Sequence, residues 1–102
     1  MKLKYKNKIV DVTMTTNEKI IKYKFQKLHH AIIIKNCNRY SSIANKQRID
    51  VVMTDNNLTI VSFKNEMHEN TFFEDKNATT TVLLPLNTFS NLEVGQRFYL
   101  EK

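Results

Sequence analysis

RIDVVMTDNN at residues 48–57 and TVLLPLNTFSNLEVGQRFYLE at residues 81–101 decide the fold of this chain. In the first stretch a run of apolar and β-branched residues meets an Asp-Asn-Asn turn, the pattern of a buried strand entering a hairpin whose return strand covers residues 58–63. In the second, residues 79–84 form a β-branched strand, Pro85 opens a helical turn over residues 86–92, Gly95 makes a tight turn, and residues 96–101 form a last strand. Between the two, residues 65–77 are polar and irregular apart from Phe72-Phe73.

Working outward toward the N-terminus, MKLKYKNK alternates strictly, with Lys2, Lys4, Lys6 and Lys8 on one side and Leu3 and Tyr5 on the other. That period of two defines a half-buried strand with a basic outer face. Residues 8–14 either continue it or return after a turn at Asn7. Thr15 followed by Glu18 is a capping-box spacing, and Ile20, Ile21, Phe25 and Leu28 then share a helical face, so a short helix is expected here. A strand with Ile21, Tyr23 and Phe25 against Lys22, Lys24 and Gln26 fits almost as well; the cap favours the helix. Residues 31–35 form a strand, Asn36-Cys37-Asn38 interrupts it, and residues 40–44 make a short strand or loop. The expected fold class is mainly β: a compact antiparallel β-sandwich or barrel-like domain with one short helix, a single domain over residues 1–102.

Composition narrows the functions. A chain of 102 residues with 41% hydrophobic and 25% charged residues buries enough surface to fold without staples. The single cysteine, Cys37, forms no internal disulfide. The N-terminal residues interleave lysines with apolar side chains and lack the apolar block of a signal peptide, and the longest aliphatic run covers only residues 31–34, so a cytoplasmic protein is expected, with no membrane partner. With one glycine and one proline, turns fall to asparagine, the non-glycine residue that best tolerates positive φ. Glycine-rich phosphate cradles are excluded. Thirteen lysines against three arginines, with abundant Ile and Asn, suggest coding in an AT-rich genome such as that of a low-GC bacterium, its phage or another mobile element.

Charge is uneven along the chain. Residues 1–50 hold twelve Lys/Arg against three Asp/Glu, a net +9; residues 51–102 hold four against seven, a net −3. Such asymmetry points to an anionic partner met by one part of the molecule. On one continuous strand Lys2, Lys4, Lys6 and Lys8 would form a ladder roughly 20 Å long, able to follow a phosphate backbone, with Lys22 and Lys24 close behind in sequence. The competing reading is an edge strand protected by lysines against aggregation.

The two C-terminal stretches carry a resemblance. RIDVVMTDNN is similar to the PIDVVFLDKNN block, and TVLLPLNTFSNLEVGQRFYLE to the VLELPAGTxxxLGIxVGDRL block, of the domain-of-unknown-function 192 family, also called uncharacterised protein family 0127. Asn36-Cys37-Asn38 resembles the PCNSIHTFFM segment that precedes the first block in short members of that family. The resemblance implies a divergent short member with a compact, mostly antiparallel β-domain and one short helix. The family's GLMFR block is reduced to Lys27-Leu28-His29-His30, and Arg48 replaces the proline before Ile49-Asp50. The final stretch also resembles, more weakly, the second half of swapped-hairpin transition-state regulators, which bind DNA as dimers; the first hairpin of that domain has no counterpart upstream.

No catalytic, cofactor-binding or metal site is expected. His29, His30, Cys37 and His68 lack zinc-ligand spacing, and adjacent histidines on a strand point to opposite faces. Cys37 has no readable base or oxyanion partner. Asp50, inside an apolar run, is either a buried acid of raised pKa or, the favoured reading, a structural residue that faces solvent or accepts backbone hydrogen bonds at a sheet edge. The expected function is a non-enzymatic binding module whose basic N-terminal half engages nucleic acid or a nucleoprotein through Lys2, Lys4, Lys6, Lys8, Lys22 and Lys24. One alternative is a phage or mobile-element inhibitor that docks on a host protein through Phe72 and Phe73. A further alternative is a small-ligand or enzymatic domain with a site near Cys37, Tyr40 and Asp50. The sequence leaves the oligomeric state open.

Overall fold

A computed structural model describes residues 1–20, 27–42, 47–68 and 71–101. Among them the chain forms nine strands: β1 (Lys2–Tyr5), β2 (Lys8–Thr16), β3 (Ala31–Lys35), β4 (Arg39–Ser41), β5 (Ile49–Thr54), β6 (Ile60–Met67), β7 (Phe72–Glu74), β8 (Thr80–Pro85) and β9 (Tyr99–Glu101). Seven of them make one sheet in the order β6-β5-β8-β3-β2-β1-β9, while β4 and β7 pair as a separate ribbon. The fold is mainly β and barrel-like. The long sheet curls until its two edges approach at an isolated bridge between Thr59 and Arg97. Backbone bonds from Gly95 to Ile60 (2.9 Å), from Ile60 to Gln96 (2.8 Å) and from Phe98 to Leu58 (3.0 Å) hold that seam. Gly95, at φ 93°, makes the turn into it.

Alternation along each strand sorts the apolar side chains onto two sides. The concave side packs Leu3, Tyr5, Val12, Ala31, Ile33, Val52, Ile60, Val82, Leu84 and Phe98 into one core. The convex side packs Ile32, Ile34, Ile49, Val51, Met53, Met67 and Leu83 with Ile20, Cys37 and Tyr40 into a second. The β4-β7 ribbon belongs to this second core through Tyr40 and Phe73. Buried Ser42 fastens the ribbon to the end of β6, donating from Oγ to the His68 carbonyl at 2.6 Å and accepting from the Thr71 N–H at 2.9 Å.

One end of the half-barrel is plugged. Residues 86–92, expected as a helical turn, form turns and bends in which Asn87 (φ 63°) and Asn91 (φ 57°) take left-handed backbone. This path inserts Phe89 and Leu92 into the concave core. Phe89 meets Tyr5 and Phe98 with ring centroids 5.3–5.7 Å apart across the trio. The Tyr5 hydroxyl donates to the Asn91 carbonyl (3.0 Å) and accepts from the Glu93 N–H (3.1 Å), tying the plug to β1.

Three further expectations are corrected. The sheet is not purely antiparallel, because β2 pairs in parallel with β3, from Val12 opposite Ala31 to Thr16 opposite Lys35. Thr15 lies inside β2 and does not cap a helix; the chain turns at residues 17–20, and there is no helix among the described residues. The remainder of the expected helix, residues 21–26, lies outside them. In the 55–57 turn the positive φ falls on Leu58 (64°) instead of an asparagine, because the Asp55 carboxylate accepts from the Asn57 and Thr59 N–H groups at 2.8 and 3.0 Å and fixes the loop.

Asp50 is a structural acceptor. The residue is 4% exposed, and its carboxylate receives the N–H of Glu66 at 2.8 Å and of Asn87 at 3.1 Å. Glu66 sits at φ 55°, next to a register shift between β5 and β6, so Asp50 satisfies a donor that the ladder abandons and pins the plug as well. Asp50→Ala should therefore lose about 2–4 kcal/mol of unfolding free energy and Asp50→Asn, which keeps one acceptor oxygen, less than that, as measured by urea denaturation. Equal stability of all three proteins would overturn this role.

Candidate nucleic-acid interface

The N-terminal lysines do not form one ladder. Tyr5 pairs with Lys8 across a two-residue hairpin turn whose first residue, Lys6, takes φ 54°. The strand folds back on itself there. Residues directly opposite in an antiparallel pair share a face, so Lys8 lies on the side of Leu3 and Tyr5, and Lys2 and Lys4 lie on the other. Lys2 is bonded to Asp11 and also has Glu101 as its partner on β9. Lys22 and Lys24 lie outside the described residues.

What the fold does assemble is a different cluster. β9 lies along β1 with Tyr99 directly opposite Lys4. Lys4, Lys6, Arg97 and Tyr99 line an open groove of about 630 Å³, together with Tyr5, Gly95, Gln96, Leu100 and Glu101. Tyr99 is 52% exposed, and the Arg97 guanidinium lies over its ring at 4.9 Å. Arg97 is held there by donating from Nε to the Asn57 carbonyl at 2.8 Å. Lys6 reaches Glu93 at 3.6 Å and sits over the Tyr5 ring at 5.4 Å. Through Lys6 the groove borders a second cleft that includes Lys8, Asn7 and Ser90. The arrangement offers a half-exposed aromatic ring beside cations, the chemistry that stacks a base and neutralises its phosphates. Arg97 and Tyr99 were missed as site residues in the sequence. The alternation Arg97-Phe98-Tyr99-Leu100 marks them as sharing one face, but their place beside Lys4 depends on the β1-β9 pairing.

The other candidates separate. Phe72 is 57% exposed with the Arg39 guanidinium 4.6 Å from its ring centre, while Phe73 packs into the convex core. Cys37 is buried in that core and donates from Sγ to the Arg39 carbonyl at 3.2 Å. Tyr40 shares the convex side with it, whereas Asp50 pairs with Leu84 at the plugged end of the concave side. These three residues therefore do not converge on one site. His30 meets Thr13 Oγ1 through Nε2 at 2.7 Å, and among the described residues no three of His, Cys, Asp and Glu gather to hold a metal ion. Nor is any helix among them long and apolar enough to cross a membrane.

The site thus sits on a curled, mainly β half-barrel. No protein-family model, curated protein or solved structure matches the chain.

The pairing of Lys2 has a measurable signature. The hydrogen bond and charge of its ammonium hold the Asp11 carboxyl below the ordinary aspartate value. The pair's contribution is present above that ordinary value and is lost as pH falls through the lowered one. In an NMR titration the Asp11 midpoint should lie below that of an unpaired aspartate and rise in Lys2→Gln. An unchanged midpoint would show that Lys2 is free to face a ligand.

Proposed function

We propose that this chain is a non-enzymatic binding module that engages single-stranded nucleic acid through the groove of Lys4, Lys6, Arg97 and Tyr99. The observation that carries the reading is the half-exposed Tyr99 ring, with the Arg97 guanidinium over it and Lys4 directly opposite on β1. A base stacks on the ring and the three cations meet neighbouring phosphates. The basic N-terminal half supplies two of the cations, Arg97 just before the last strand is the third, and Tyr99 of that strand supplies the stacking surface.

Fluorescence anisotropy with a labelled oligonucleotide tests it. Three phosphate contacts on a single strand give a log–log salt dependence of about −2. Lys4→Gln with Arg97→Gln should flatten that slope, and Tyr99→Ala should weaken binding about tenfold with the slope retained. No binding by the wild-type protein at low salt would end the reading.

The exposed Phe72 under Arg39 supports a second reading, a phage or mobile-element inhibitor docking on a host protein. Expression in a bacterial host should then slow growth, and Phe72→Ser should relieve the effect while Tyr99→Ala does not. Membership of the domain-of-unknown-function 192 family is proposed on the sequence blocks already quoted, which fall on β5 and on the β8-plug-β9 segment.

A further inference from the structure

Among the described residues, the half-barrel is plugged at one end by Phe89 and Leu92. At the other, where β2 and β3 finish and β8 begins, Met14, Ile33, Leu58 and Leu100 wall a cavity of about 300 Å³, the lower end of the range for small-ligand sites. Its rim is made by Lys35, Asn36, Asn56 and Thr80. The Asn56 side-chain oxygen is already used, accepting from the Thr79 hydroxyl at 2.8 Å, so its amide N–H groups are what it offers to the opening. Lys35 has no salt bridge among the described residues. The rim therefore presents donors and a positive charge above an apolar interior. Among the described residues no acidic side chain lines the cavity. The two nearest in sequence are engaged or turned away: Asp55 accepts backbone N–H groups of its own turn, and Glu101 shares the outer face with Lys2. Leu58 takes its left-handed backbone while contributing its side chain to this wall, a conformation that costs a leucine about 1–2 kcal/mol.

We propose that the mouth of the half-barrel binds a small amphipathic carboxylate, its hydrocarbon part against Met14, Ile33, Leu58 and Leu100 and its carboxylate at Lys35 and the Asn56 amide. This site shares Leu100 alone with the groove of Lys4, Arg97 and Tyr99, so either stands if the other fails, and shifts at Met14, Ile33 and Leu58 distinguish it.

Decanoate, used below its aggregation concentration, is the probe, and two-dimensional amide NMR the readout. Saturable shifts are expected at Met14, Ile33, Leu58 and Leu100. Lys35→Gln should weaken binding about five- to tenfold, and decanol should bind the wild type more weakly than decanoate by a similar factor. Met14→Phe, which fills the mouth with an apolar ring, should abolish the shifts, its dispersed spectrum showing that it folds. Lys4→Gln with Arg97→Gln should bind decanoate like the wild type. Absence of saturable shifts, shifts confined to the Tyr99 groove, or equal binding of decanol and decanoate would overturn the proposal.

Discussion

Every residue of β5, from Ile49 to Thr54, is buried, and β3 and β8 are nearly so. Three adjacent strands with both faces withdrawn from water oblige the rest of the chain to supply two separate covers. A flat sheet would leave one face bare. The curl provides the concave cover, because it brings β1, β9 and the Phe89-Leu92 plug over Val52, Val82 and Ile33. The β4-β7 ribbon joins the other side over Ile32, Ile34 and Val51. Polar groups survive in these strands only where they are satisfied. Thr81, fully buried, donates its hydroxyl to the Cys37 carbonyl at 2.9 Å, and Asp50 accepts two N–H groups.

Part of the charge asymmetry of the sequence is folded onto itself. Lys6 meets Glu93, Arg39 meets Glu74 and Arg48 meets Glu66, each a cation from the first fifty residues against an acid from the remainder. These pairs are exposed, so each stabilises the fold by about 1 kcal/mol at most. Their larger effect is on the field around the molecule. Among the described residues of β1 and its turn, Lys2 and Lys6 have acidic partners, while Lys4 lies opposite Tyr99 of β9.

Local pattern made most strands legible. The aliphatic run at Ala31–Lys35, the β-branched run at Thr80–Pro85 and the alternation of Leu3 and Tyr5 correspond to β3, β8 and β1. Long-range pairing was not legible. Nothing local tells β2 to lie parallel to β3, and nothing in Tyr99 announces Lys4 as its neighbour. The capping-box spacing at Thr15 and Glu18 was overridden because Thr13, Met14 and Thr15 pair in register with Ile32, Ile33 and Ile34. The turn chemistry was read by residue type, yet left-handed backbone also fell on Lys6, Leu58 and Glu66, where strand pairing and side-chain acceptors set the dihedral.

The strand order also has a kinetic meaning. Among the described strands only β1-β2 and β5-β6 join antiparallel neighbours in the chain; β3-β8, β5-β8, β4-β7 and β1-β9 unite segments far apart in sequence, with Lys2 opposite Glu101 as the extreme. Each such closure costs chain entropy before its contacts repay it. The two hairpins form early and cheaply, but neither has its apolar face covered until distant strands arrive. Folding is therefore slow for a chain of this size, and the half-assembled sheet, with Ile32 to Ile34 uncovered, is the species most prone to associate with its own copies.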